Sequence, residues 1–395
     1  MAWVWAAWAA AGPAPKGSDV PGVVIDYQDA RTRQYVGSPS LAVLPDGRYV
    51  ASHDLFGPGS RYSRTRVFRS ADQGRTWRHL ADLDGQFWSG LFVHRRALYV
   101  MGTSQRYGVV VIRRSADGGA TWTEPRDATT GLLTDEPIYH TAPVPVVVHR
   151  GRLWRAMEVR TRKGPKQFGA LVMSAPADAD LLRAENWTAS NTVFFDPAWR
   201  KGVRHWREGN VVVTPKGTVV NIIRTDPRPG IAAVLDVSQD GRTLTFDPQT
   251  GFIDFIGGAV KFTIRFDPQT RRYWTLASKQ TDPPATRNVL VLTSSADLRA
   301  WRLESHILVH PDRRHHAFQY IDWLFEGADL IAVSRTAWDG SHNFHDANYL
   351  TFHRIPDFRD RTRDAPPLNA PAPRPERKAP GQHLVAAWDF ERGRG

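Results

Sequence analysis

Ser70-Ala71-Asp72-Gln73-Gly74-Arg75-Thr76-Trp77 and Ser115-Ala116-Asp117-Gly118-Gly119-Ala120-Thr121-Trp122 are two copies of one pattern, Ser-Ala-Asp-x-Gly-x-Thr-Trp. Each copy reads as a tight β-hairpin. Asp and Gly suit the turn, the Asp carboxylate accepts turn N–H groups, Thr opens the next strand, and Trp packs between layers. Weaker echoes follow at Ser238-Gln239-Asp240-Gly241-Arg242-Thr243 and Ser295-Ala296-Asp297-Leu298-Arg299-Ala300-Trp301, with Asn186-Trp187-Thr188 as a more eroded relic. A hairpin motif that returns roughly every 40–60 residues is what a β-propeller leaves in a sequence.

Between these turns, period-two alternation places blade openings near Ser38, Ser89, Thr141, Gly209, Ala259 and Phe318. The expected fold is all-β, a propeller of six four-stranded antiparallel blades over residues 21–356; a seventh has room only between Ala177 and Arg207. Inner strands are expected at Ser40–Leu44, Gly90–His94, Val144–Val148, Asn210–Val213, Phe262–Arg265 and Tyr320–Leu324. The last blade lacks an outer strand. Val23-Val24-Ile25-Asp26-Tyr27 is placed to supply it, closing the ring and removing a sheet edge.

The flanks read differently. Residues 1–20 look like a signal remnant or a disordered N-terminus: Met1 to Ala11 is apolar and rich in Trp and Ala, but too short to span a membrane. A secreted or periplasmic bacterial protein is expected. Residues 357–382 are rich in Pro and Arg without apolar periodicity, an extended linker. Residues 383–395, opening on His383-Leu384-Val385-Ala386-Ala387-Trp388-Asp389-Phe390-Glu391, resemble the truncated start of a laminin-G-like jelly roll.

With no cysteine, disulfides, thiol nucleophiles and thiolate metal sites are excluded together. The formal net charge of +12 is carried mostly by arginine, which favours bidentate recognition of carboxylate, sulfate or phosphate. These arginines are scattered through strands and turns rather than gathered in a stripe, which argues against nucleic acid as the partner. The expectation is a monomer acting on an anionic oligosaccharide or polysaccharide, with no membrane partner.

In a propeller, ligands bind in the funnel at one end of the central channel, where inner strands begin and second strands end. Candidate substrate-binding residues are therefore Trp88, Arg160, Arg224, Lys279, Gln319 and Arg335, the cations forming a floor for a sugar carboxylate. Candidate catalytic residues are His53, which follows Tyr49-Val50-Ala51 at the funnel mouth, and Tyr139 with His140 entering the third blade. For a hydrolase using two carboxylates, Glu158 and Glu208 are the best pair. Ser341-His342-Asn343-Phe344-His345-Asp346 places His342 and His345 where they can meet sugar hydroxyls, stabilise the loop, or hold a divalent cation such as calcium; no strict metal motif is present, and no cofactor is expected.

The two complete hairpins resemble the Asp-box, or bacterial neuraminidase, repeat of the sialidase-like superfamily, where the box is a structural turn remote from the active site. That resemblance gives Asp72 and Asp117 a structural role. Ser52-His53-Asp54-Leu55-Phe56-Gly57, Tyr139-His140-Thr141-Ala142-Pro143-Val144-Pro145, Glu208-Gly209-Asn210, Phe318-Gln319-Tyr320-Ile321-Asp322-Trp323 and His345-Asp346-Ala347-Asn348 are further similar to a bacterial branch that attacks L-rhamnosyl-α-1,4-glucuronate ends by a lyase or hydrolase mechanism. It implies a funnel histidine, here His53, as acid and base. Exo-sialidases, the alternative, use three arginines and a Tyr–Glu nucleophile pair, and Gly37-Ser38-Pro39 stands where the first arginine is expected. A non-catalytic glycan-binding propeller is the third reading.

Overall fold

The computed structural model describes residues 19–161, 167–280 and 286–370. Six antiparallel sheets follow one another along the chain as the blades of a β-propeller. The second strands, which carry the blade cores, are Tyr49–Phe56, Ala97–Thr103, Arg152–Arg160, Val219–Asp226, Arg272–Ser278 and Asp329–Ala337. Val23–Tyr27 pairs antiparallel with Tyr349–Ile355 and completes blade 6, so the first described strand locks onto the last. The stretch with room for a seventh blade instead forms the short outer strands Thr188–Ala189 and Val193–Phe194 of blade 3.

Both complete Ser-Ala-Asp-x-Gly-x-Thr-Trp motifs are outer hairpins. Asp72 accepts Thr76 N–H at 2.9 Å and Thr76 Oγ1 at 2.6 Å, and these bonds hold its carboxyl down at about 2. Burial pushes Asp117 up, but the same bonds from Thr121 bring it down to about 2. Gly74 and Gly119 adopt φ of 88° and 97°, a conformation glycine takes without a Cβ clash. Their carbonyls accept the indole N–H of Trp77 and Trp122, and Trp77 packs on Phe352 of the neighbouring blade. The motif therefore works as a clasp between blades.

Around the channel, side chains tie each inner strand to the next. Ser40 Oγ accepts Leu91 N–H, Asp322 accepts Leu41 N–H, and Asn210 accepts Ile264 N–H, at 2.8, 3.0 and 3.1 Å. Blade 3 departs from the expected strand over Val144–Val148. Its inner edge pairs only at Tyr139–His140 and Val147–His149, because Pro143 and Pro145 have no N–H to offer a ladder. The fully buried Arg155 replaces that ladder by donating to the carbonyls of Ala142 and Val144, both at 3.1 Å. Arg155→Met leaves the buried Val144 carbonyl unmet, while the Ala142 carbonyl keeps the Val144 N–H at 2.8 Å, and should lower the unfolding free energy in a denaturant titration by about 1–3 kcal/mol.

Residues 357–370, read from sequence as the start of a linker, lie against blade 5: Phe358 packs on Trp274, Arg359 pairs with Asp267 at 2.8 Å, and Leu368 N–H donates to the Ile307 carbonyl. The signal-like segment up to residue 18, the linker beyond 370 and the jelly-roll segment 383–395 lie outside the described residues.

Candidate active site

Three inner strands open with the same distortion. Register shifts between Phe87 and Gly90, Arg207 and Asn210, and Gln319 and Asp322 mark β-bulges in blades 2, 4 and 6. Each bulge holds a non-glycine residue in the left-handed region: Trp88 at φ 50°, Glu208 at 60° and Tyr320 at 55°. Such conformations cost on the order of 1–3 kcal/mol each and persist where surrounding structure enforces them, commonly at functional sites. Here they turn all three side chains into one pocket of about 390 Å³, lined also by Asp54, Tyr62, Arg106, Tyr107, His140, Arg207, Arg335, His345 and Asp346.

At the heart of the pocket Tyr320 donates its hydroxyl to Glu208 Oε1 at 2.9 Å, while Arg224 Nε lies 2.6 Å from Glu208 Oε2. Burial pushes the Glu208 carboxyl up, but Arg224 and Arg207 outweigh it and hold the group at about 2, so it is ionised at neutral pH. Arg335 spreads its guanidinium over the rings of Phe56 and Tyr320, at 4.3 and 5.0 Å, and Arg287 lies 5.6 Å from the Tyr320 ring. Burial pushes Arg335 down to about 10, still charged at neutral pH. The Nε atoms of Arg207, Arg287 and Arg335 are buried without a hydrogen-bond acceptor among the described residues.

Asp54 forms the facing wall. Burial drives its carboxyl up to about 7, against hydrogen bonds from Thr65 Oγ1 at 2.7 Å, the Ser38 side chain and the Trp88 N–H at 2.6 Å. A carboxyl so placed can hold or release a proton near neutral pH. His140 stands edge-on to Trp88, ring centroids 4.4 Å apart, and its Nδ1 lies 2.9 Å from Glu158 Oε2. The other oxygen of Glu158 accepts the Gly209 N–H at 3.0 Å. Glu158 thus fixes both the His140 ring and the bulge that carries Glu208.

No family model matches the sequence, and no curated protein matches it. Solved structures match by shape. The Hadza microbial sialidase Hz136 aligns with a TM-score of 0.60 at 14% identity, over 85% of this chain and 68% of that one. Trypanosoma rangeli sialidase in complex with sialic acid gives 0.54 at 14% identity, over 80% and 54%. Penicillium chrysogenum α-L-arabinanase complexed with arabinobiose gives 0.53 at 16%, over 86% and 98%. The fold is the sialidase-like β-propeller. At such identities the likeness speaks for architecture, and the chemistry rests on the residues themselves.

On this propeller, Trp88, His140, Glu208, Arg335 and His345 line the pocket. Glu158, Arg224 and Gln319 sit buried behind it as supports, Gln319 accepting a hydrogen bond from Arg287. The others fall away from it. His53 is fully buried on the opposite side of its strand, stacked on Phe68, with Nε2 2.7 Å from Asp26 of the closing strand and Nδ1 2.8 Å from the Asp54 carbonyl. Successive strand residues face opposite ways, so placing Asp54 in the funnel turns His53 out of it. Tyr139 packs into the core between blades 2 and 3, Lys279 is half-exposed with its charge felt by His306, and Arg160 covers the outer face of Tyr107. His342 stacks on Tyr35 outside the pocket. Its Nδ1 and that of His345 each lie 2.8 Å from Asp346, which ties the loop through hydrogen bonds; among the described residues no group of three or more such side chains is arranged to hold a metal. Burial and Arg335 push the His345 imidazolium down to about 4, so it is neutral at physiological pH.

Asp54, Arg207, Arg287 and Tyr320 were not singled out from sequence. Aligning Trp88-Ser89-Gly90, Glu208-Gly209-Asn210 and Tyr320-Ile321-Asp322 as equivalent strand openings would have found Tyr320. For His53, structural burial gives a different expectation from catalysis: His53→Gln should cost about 1–3 kcal/mol of stability through the lost Asp26 contact, and leave the pH profile of any turnover unchanged.

Proposed function

We propose that the protein is a retaining glycoside hydrolase that releases a terminal acidic sugar, with Tyr320 as nucleophile, Glu208 as its base and Asp54 as proton donor. The hydrogen bond of Tyr320 to Glu208, set among Arg207, Arg224, Arg287 and Arg335, carries this reading. The tyrosine oxygen bonds to the anomeric carbon as the glycosidic C–O bond breaks; its proton passes to Glu208, and the Asp54 proton goes to the leaving oxygen. Water then attacks with Asp54 as base, and Tyr320 departs, recovering its proton. A substrate carboxylate sharing the arginines loosens their hold on Glu208 and raises its basicity at the moment it must accept a proton.

A neutral nucleophile favours a sugar whose carboxylate is carried on the anomeric carbon itself, as in sialic acid, where an anionic nucleophile would be repelled. Arg335, from blade 6, supplies a third cation beside Arg224 and Arg287, on a chain with Ser38 at the position where exo-sialidases carry their first arginine. A fluorogenic α-sialoside tests the proposal: release of the fluorophore with retained configuration supports it, and no release sinks it. The rhamnosyl-glucuronate reading passes from His53 to His140, whose tautomer Glu158 sets. Mass spectrometry of a rhamnosyl-glucuronate oligosaccharide decides that case, an unsaturated uronate marking elimination.

A further inference from the structure

Asp54, which must face the leaving oxygen, takes its shortest hydrogen bond from the backbone of Trp88. The leaving group therefore lies along the wall that Trp88 begins, and this step rests on the hydrolase reading above. That wall continues through Tyr107, whose ring meets Trp88 edge-on at 5.2 Å. Two guanidiniums lie against the tyrosine: Arg160 at 4.4 Å and Arg106 at 5.4 Å from its centroid, with Arg106 also 5.1 Å from the ring of Tyr62. Neither arginine has a carboxylate within ion-pair distance among the described residues, whereas Arg207 and Arg224 are engaged with Asp226 and Glu208. A guanidinium against a ring is held by cation–π attraction while its in-plane N–H groups stay free for a planar oxyanion.

We propose that Arg106 and Arg160 form a leaving-group subsite for a carboxylate or sulfate, so that the natural substrate is an acidic glycan whose second sugar is also charged. Tyr107 holds the two guanidiniums side by side, and their forks read the oxyanion of the sugar. The subsite is distinct from Arg207 and Arg335, which line the pocket for the sugar being released.

Calorimetric titration of the whole protein with lactose, lactose sulfate and a glucuronate-terminated disaccharide measures this subsite without turnover. At low salt one or both acidic disaccharides should bind at least about tenfold tighter than lactose, and whichever does so identifies sulfate or carboxylate as the ligand. R106Q/R160Q should abolish that preference, and R106K/R160K should restore only part of it, since lysine keeps the charge without the fork. Equal binding of all three sugars by the unaltered protein, or a preference that survives R106Q/R160Q, overturns the subsite. With an acidic substrate that is turned over, the same double variant should lower kcat/KM mainly through KM. Absence of turnover of any acidic glycoside would sink the hydrolase reading instead, and leaves the binding result to stand or fall by itself.

Discussion

Tyr320→Phe should lower kcat on an acidic glycoside by at least about 10³-fold while leaving the protein folded. The substitution removes one oxygen. Glu208 loses the donor to Oε1 but keeps Arg224 at 2.6 Å, so no buried charge is stranded and the change in stability should stay near 1 kcal/mol. Glu208→Gln is the less informative partner, because removing the carboxylate leaves the buried Arg224 only the more distant Asp226, at 3.7 Å, a loss of stability that confuses folding with chemistry. The measurement is steady-state kinetics on an activated aryl glycoside, joined to a trapping experiment with a slow fluorinated substrate. A covalent adduct on Tyr320 in the unaltered protein, absent from the variant, is the expected result. Full activity in Tyr320→Phe removes tyrosine from the mechanism and returns attention to His140.

The architecture was legible because the Ser-Ala-Asp-x-Gly-x-Thr-Trp motif repeats a local hairpin whose turn chemistry needs no distant partner. Asp72, Gly74, Thr76 and Trp77 bond among themselves, and the blade period follows. Closure by Val23–Tyr27 was legible for a similar reason, since a last blade short of one strand must find it elsewhere. Blade 3 was read less well because Pro143 and Pro145 interrupt pairing within an apolar run that still looks like a strand.

The lining of the candidate pocket was half legible. Strand ends nominated Trp88, His140, Glu208 and Arg335, but alternation misled at two points. In Tyr49–Phe56 both faces of the strand are interblade contacts, so neighbouring apolar residues do not reveal which of His53 and Asp54 meets the funnel. In Ala317–Glu326 a bulge inserts one residue, reversing the phase, so Gln319 was chosen where Tyr320 points inward. Arg287 lies between strands, where no period operates.

Asp54→Asn should show its largest effect on substrates with poor leaving groups, where protonation of the departing oxygen dominates the barrier. The expected loss is about 10²–10⁴-fold in kcat/KM for an alkyl or sugar leaving group, shrinking markedly for a nitrophenolate. The pH profile gives a second, independent signature. Asp54 must be protonated to donate, and its carboxyl titrates at about 7, so activity should fall as pH rises through that value and the Asn variant should lose this alkaline limb. Stability moves with the same group. Between the ordinary value of 3.8 and about 7 the folded protein keeps a proton that the unfolded chain has released, so on this account the unfolding free energy declines as pH rises across that window. Asn cannot ionise, and the variant should gain stability relative to the unaltered protein from pH 4 to 7, as read by denaturant titration at several pH values. His140 is the competing donor: its imidazole shares the pocket, and Glu158 holds one of its nitrogens. An alkaline limb that persists in Asp54→Asn and disappears in His140→Gln would transfer the proton to His140, because only the group whose titration sets the limb can be the one that protonates the leaving oxygen.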